Sequence, residues 1–184
     1  MAIPLSGLPR LYRLLSRLLD YPNQELADYL QAGDALKELP ESAHRVLAVF
    51  REWALGQDLL AWQAQYVRTF DLNPDHSLHL TWHLFEEQDQ RRGLTLANLA
   101  EFYQRQGLEI KRGELPDYLP LILEYASTLP SDQGGTFLAQ CQQALEVLAA
   151  NLYKVESPYA PLVRLLIARL TAEDAREPQN LLIE

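Results

Sequence analysis

The sequence predicts an all-α fold, a single compact domain of about eight to ten helices. Three observations carry that expectation. Apolar residues recur at three- and four-residue spacing along most of the 184-residue chain, the pattern of helices that each bury one face. Leucine leads the apolar set and only 8 glycines occur, a composition that favours helix over strand. Nowhere does an alternating apolar–polar run lie between hairpin turns.

Leu8, Leu11, Leu15 and Leu18 fall on one face of a first helix, widened by Leu14 and Leu19, with Arg10, Arg13 and Arg17 largely opposite; Asp20-Tyr21-Pro22 ends it. A second helix is expected over residues 24–36, carrying Leu26, Tyr29 and Leu30, with Gly33 near its end. Pro40-Glu41-Ser42 opens a third, whose stripe is Val46, Leu47, Phe50, Trp53 and Ala54 and whose stop is Gly56. Leu59, Trp62, Tyr66 and Phe70 mark one face of a fourth, over residues 59–70. After the turn Asn73-Pro74-Asp75, residues 76–87 read as helix through Leu78, Trp82 and Phe85. A polar run leads to Gly93 and a helix bearing Leu96, Leu99, Ala100, Phe102 and Tyr103, stopped at Gly107.

Glu109 to Gly113 is a charged connector into Glu114–Glu124, ELPDYLPLILE. Each of its prolines fixes φ and removes an amide donor, so Pro116 suits a lead-in turn and Pro120 the first turn of a helix. Asp117 stands where a side-chain oxygen can cap that helix, and Leu119, Ile122, Leu123 and Ala126 recur at helical spacing. Residues 130–135 read as a loop, and a long helix is expected over 136–153 with Phe137, Cys141, Ala144, Leu148 and Leu152 in register. Ser157-Pro158 reads as cap and first-turn proline of a last helix through Leu170. The domain is expected over 1–172, and 173–184 as a frayed tail.

Composition excludes several function classes. The formal net charge is −9, which argues against nucleic acid and anionic membrane surfaces and towards neutral or basic partners. A single cysteine, Cys141, leaves no internal disulfide framework and no cysteine-only metal site, and a reducing, cytoplasmic setting is the expectation. The arginines at 10, 13 and 17 interrupt the N-terminal apolar stretch, so it reads as an amphipathic helix and not a signal peptide. No segment approaches the roughly 20 apolar residues of a spanning helix, and no stable membrane insertion is expected.

Candidate chemistry is sparse. His76, His79 and His83 stand at i, i+3 and i+7 of the expected helix, and His79 with His83 has the spacing of a zinc clamp. Leu80 stands where the hydrolase version of that motif carries glutamate, and partly exposed polar residues at a helix start have the same spacing. A helical metal-binding protein centred on this trio is thus the alternative reading, a generic helical interaction scaffold another. Glu41-Ser42-Ala43-His44 is the only Glu-x-x-His, so the paired motif of a di-iron bundle is missing. Neither a phosphate-binding glycine loop nor a Ser-centred elbow occurs, and Cys141 lies in an apolar stripe as a core thiol would. No catalytic site and no cofactor are expected. An acidic helical domain rich in aromatics (Trp62, Tyr66, Phe70, Trp82, Tyr103, Tyr118, Tyr125) instead suits the docking of a basic amphipathic helix in a groove.

One succession of landmarks goes beyond periodicity: Tyr66-x-x-x-Phe70-Asp71, Ser77-Leu78-x-Leu80-Thr81, Arg92-Gly93, Leu99-x-x-x-Tyr103-x-x-x-Gly107 and Glu114-Leu115-Pro116-Asp117-Tyr118-Leu119-Pro120 through Glu124. In this order they resemble the redox-enzyme maturation chaperones of the NarJ/TorD type, in particular the branch that assembles the molybdenum cofactor of nitrate reductase. The chain departs from that family at Tyr118, where histidine is frequent, and at Phe85-Glu86-Glu87, where a glycine is common. The resemblance implies an all-helical, non-catalytic cytoplasmic chaperone. Its partner would be the N-terminal segment of a molybdoenzyme catalytic subunit, that of nitrate reductase or a relative, held ready for cofactor insertion. On that footing Tyr66, Phe70 and Tyr118 are expected to line the client groove beside Pro116 and Pro120. Asp117, Glu124 and Glu86 or Glu87 are expected to hold client lysines or arginines.

Overall fold

Side-chain caps set several of the helix starts. Asn23 accepts from the Leu26 amide, Asp58 from Ala61 and Asp89 from Arg91, each satisfying a donor that the first turn leaves open. The computed structural model describes residues 7–33, 39, 41–86, 89–111 and 113–170. Its helices are α1 (Leu8–Leu19), α2 (Gln24–Ala32), α3 (Glu41–Leu55), α4 (Leu59–Tyr66), α5 (Gln90–Arg105), α6 (Leu119–Thr128), α7 (Ser131–Ala139), α8 (Gln142–Lys154) and α9 (Ala160–Ile167). Among the described residues there is no strand, only one isolated antiparallel bridge, His79 to Tyr118. The chain is the compact all-α domain that its stripes predict. The frayed tail, the boundary at 172 and the last residues assigned to the second helix lie outside the described residues.

Two layers of contact organise the core. α1 lies along α6, which in turn packs on α7, and α8 lies along α9. Ser16 of α1 donates through its hydroxyl to the Pro120 carbonyl at 2.7 Å, tying the two helices through buried polar atoms. Tyr159, fully buried, centres an aromatic cluster: its ring lies 5.2 Å from Phe50 and 4.8 Å from Phe70, and its hydroxyl accepts from Trp62 Nε1 at 2.8 Å.

Several boundaries differ from the sequence reading. Gly33 adopts φ 75° and its amide donates to the Leu30 carbonyl, ending α2; a left-handed glycine closes a helix at no steric cost. α4 stops at Tyr66 and continues as a π turn over Val67–Asp71, with the Leu72 amide reaching the Val67 carbonyl at 3.1 Å. Of the helix expected over 76–87, residues 76–86 are described and are not one helix: 3-10 turns at Pro74–His76 and Leu80–His83 flank the bridge at His79. The expected loop at 130–135 is helical from Ser131, and the expected helix 136–153 is broken between Ala139 and Gln142, with buried Cys141 at the junction. Burial pushes that thiol up to about 12. α9 begins at Ala160, with Pro161 in its first turn.

Glycine has a packing reason to be in α7. A Cβ on Gly134 would meet the Ala126 carbonyl of α6 at 2.8 Å and Tyr12 of α1 at 3.4 Å. Gly134→Ala is therefore expected to cost about 1–3 kcal/mol through overpacking against backbone, although alanine is the better helix former. Urea unfolding at constant m-value measures it; a stabilised variant would show that α6 and α7 separate freely.

Candidate functional site

Two short segments far apart in sequence are clasped together beside an open groove. The Leu80 amide donates to the Asp117 carbonyl at 3.0 Å and the Leu119 amide to the Leu78 carbonyl at 2.8 Å. Asp117 is fully buried, and its carboxylate completes the clasp. Oδ2 accepts from the Thr81 amide at 3.1 Å and from the Thr81 hydroxyl at 2.5 Å. Oδ1 lies 3.1 Å from His79 Nδ1, which donates because a carboxylate only accepts. Arg92 Nε in turn donates to Thr81 Oγ1 at 3.0 Å while its guanidinium lies 4.0 Å from the centre of the Trp82 ring. Burial by itself raises the Asp117 carboxyl, but the hydrogen bonds from His79 and Thr81 outweigh it and hold the group below the usual carboxylate range.

The neighbouring residue carries a second network. Tyr118 Oη donates to Asp20 Oδ1 at 3.0 Å and lies 3.0 Å from Tyr66 Oη, which donates to the Leu19 carbonyl at 3.1 Å. The C-terminal end of α1, the end of α4 and the lead-in to α6 therefore meet at two phenols. Burial raises both phenols above their ordinary value.

The groove runs along one side of this clasp. Its volume is about 720 Å³, and Phe70, Trp82 and Phe85 line it together with Asp71, Asp75 and His79. The π turn at the end of α4 carries both Phe70 and Asp71. Asp71 is raised by its partial burial, with His79 pulling it the other way. An aromatic wall with two carboxylates offers contact area for an apolar side chain and counter-charge for a cation.

The residues expected at the site divide into three groups. Phe70 borders the groove but is itself buried, Tyr118 is half-buried against the His79 ring, 5.2 Å between centroids, and Glu86 is exposed. Tyr66, Pro116, Asp117 and Pro120 are buried. Asp117 does not cap α6: the start of that helix has no side-chain cap, because both carboxylate oxygens are taken by His79 and Thr81. With Asp117 buried and Glu124 exposed on α6, those two acids do not share a surface. Glu87 lies outside the described residues.

The histidines do not share a helix face either. His76 Nδ1 bonds to the Thr69 carbonyl at 3.2 Å and His83 Nε2 to the Ser77 carbonyl at 2.8 Å, while His79 bonds to Asp117. Burial lowers His83, with the Ser77 carbonyl opposing. Among the described residues no three potential ligands converge. Sequence reasoning missed Asp71, Asp75, Thr81 and Arg92 as parts of one constellation. The first stands next to Phe70 and the third belongs to the Ser77–Thr81 landmark, but nothing local pairs Thr81 with Asp117.

Residues 36–164 match the family described as nitrate reductase delta subunit. The nitrate reductase molybdenum cofactor assembly chaperone NarJ of Escherichia coli (strain K12) is 36% identical over 158 residues, 84% of this chain and 66% of that protein. The probable nitrate reductase molybdenum cofactor assembly chaperone NarJ of Bacillus subtilis (strain 168) is 32% identical over 169 residues, 90% of this chain and 91% of its own length. The nitrate reductase-like protein NarX of Mycobacterium tuberculosis (strain ATCC 25618 / H37Rv) is 30% identical over 153 residues, 83% of this chain but 23% of that protein. The chain thus spans just under two thirds of the Escherichia coli relative.

Proposed function

The chain belongs to the nitrate reductase delta subunit family, and on that premise we propose that it is a non-catalytic cytoplasmic chaperone for a molybdoenzyme of the nitrate reductase type. It binds the N-terminal segment of the catalytic subunit and keeps that subunit competent for insertion of the molybdenum cofactor. No helix among the described residues is long and apolar enough to cross a membrane.

The observation that carries the reading is the aromatic groove with Asp71 and Asp75 in its lining. A basic amphipathic segment lays its apolar residues on Trp82 and Phe85, over the buried ring of Phe70, and its cation near the two acids. Tyr118 and Glu86 extend this surface, and Tyr66, Pro116, Asp117 and Pro120 shape it from behind. Glu124, on the exposed face of α6, contacts only a longer client. Apolar burial dominates the affinity, because exposed ion pairs contribute only about 0.2–1 kcal/mol each.

Calorimetry with a peptide of the client N-terminus tests this. Phe85→Ala is expected to weaken binding by at least about tenfold if it is an anchor. Asp71→Asn with Asp75→Asn is expected to weaken it by roughly three- to tenfold and to flatten its salt dependence. Unchanged affinity in both variants would move the client elsewhere on the molecule.

A further inference from the structure

A second groove, of about 940 Å³, lies between α3, α8 and α9, and its chemistry is opposite to that of the first. Val46, Ala160, Pro161 and Leu165 supply an apolar floor, and Lys154 and Arg164 stand exposed in its lining. The whole chain carries a net charge of −9, so a basic groove is out of keeping with the average surface. Lys154 Nζ donates to the Asn151 amide oxygen at 3.0 Å and Arg164 lies 4.3 Å over the Tyr153 ring. Among the described residues neither has a carboxylate partner. Glu156 is the acid of the lining.

The same groove is lined by Ala168 and Arg169, immediately before the chain passes through buried Leu170 into residues 171–184. Those residues read TAEDAREPQNLLIE: Glu173, Asp174 and Glu177 come early against Arg176 alone, and Leu181-Leu182-Ile183 follow. Acid followed by an apolar triplet is complementary to basic side chains above an apolar floor. Because the segment is tethered at the edge of the groove, its effective concentration there is on the order of millimolar, so weak individual contacts suffice.

We propose that the groove between α3, α8 and α9 is the docking site of this chain's own residues 171–184, with their acids on Lys154 and Arg164 and their leucines and isoleucine on the apolar floor. The occupant is intramolecular, and any acidic amphipathic partner of this surface has to displace it. The proposal is independent of where a client binds.

Hydrogen exchange of the full chain, read by mass spectrometry, tests it. Amides of residues 172–184 are expected to exchange at least about tenfold more slowly than in a synthetic peptide of the same sequence. Lys154→Glu with Arg164→Glu is expected to return them to the peptide rate. Adding Glu173→Lys and Glu177→Lys to that pair is expected to recover the protection, which a variant that had merely lost its fold would not do. Peptide-rate exchange in the unaltered chain overturns the proposal and leaves the groove open to another molecule. Protection that ignores the charge reversal, or that the swap fails to recover, overturns the assigned contacts.

Discussion

Asp117→Ala is expected to lower the free energy of unfolding by about 3–5 kcal/mol, because the buried Thr81 amide and hydroxyl each lose their acceptor at about 1–3 kcal/mol and a cavity is left beside them. The carboxylate is fully buried and receives the Thr81 amide, the Thr81 hydroxyl and His79. Its removal leaves those donors facing a cavity, and Arg92 loses the ordered Thr81 hydroxyl on which it docks. A change of that size lowers Tm by roughly 6–20 °C in a chain of this length. The pH dependence has a definite sign. The Asp117 carboxyl is held below its ordinary value in the fold, so its contribution is complete above the unfolded value near 3.9 and is lost as pH falls through the lower folded value. Asp117→Asn should therefore flatten that part of the acid limb of the stability curve. Thermal melts between about pH 2 and 7 measure both effects, and an unchanged melting point at neutral pH would mean that the clasp holds without its carboxylate.

The second large effect is expected at Trp62, 1% exposed. Trp62→Ala removes an indole from among Phe50, Trp53 and Tyr159 and should cost about 3–5 kcal/mol. Trp62→Phe separates the two causes. It retains most of the apolar volume but deprives the buried Tyr159 hydroxyl of its donor, at a cost of about 1–3 kcal/mol. If Trp62→Phe is neutral, the hydrogen bond contributes nothing net and the whole effect is volume. Denaturant midpoints for the two variants decide the matter.

How far the sequence discloses this molecule depends on how local the deciding partner is. The leucine stripe of α1 and its stop at Asp20-Tyr21-Pro22 match the helix Leu8–Leu19, because both signals are local. Pro120 sits in the first turn of α6 as expected. The stretch 76–87 defeats the same method. Leu78, Trp82 and Phe85 have helical spacing, but the Leu80 and Thr81 amides are claimed by Asp117, more than thirty-five residues along the chain. Asp117 fails as a cap for the same reason, since a residue with cap propensity has found stronger tertiary donors. Pro130 and the glycines after it are read as a loop, and only the distance from Gly134 to the Ala126 carbonyl explains glycine inside α7. Of the groove's lining the sequence reading places only Phe70 at the site; Trp82, Phe85, Asp71 and Asp75 join it through the π and 3-10 turns, which no local signal announces.

The bridge between His79 and Tyr118 also has a cost in chain statistics. Joining these residues closes a loop that contains the whole of α5. For a flexible segment of this length the entropy of closure is on the order of 3 kcal/mol before any constant is added. Two backbone hydrogen bonds, each contributing about 0.5–1.5 kcal/mol net, are only enough to break even. The buried carboxylate tips the balance at the clasp, while α5 itself is held along its length by buried Leu99 and Tyr103 and by the rings of Phe102 and Tyr103 against Tyr125 and Phe137. In ensemble language α5 with its flanks is a foldon fastened at its two ends by the clasp and along its length by an aromatic seam, so opening the clasp alone frees the flanks before it frees the helix.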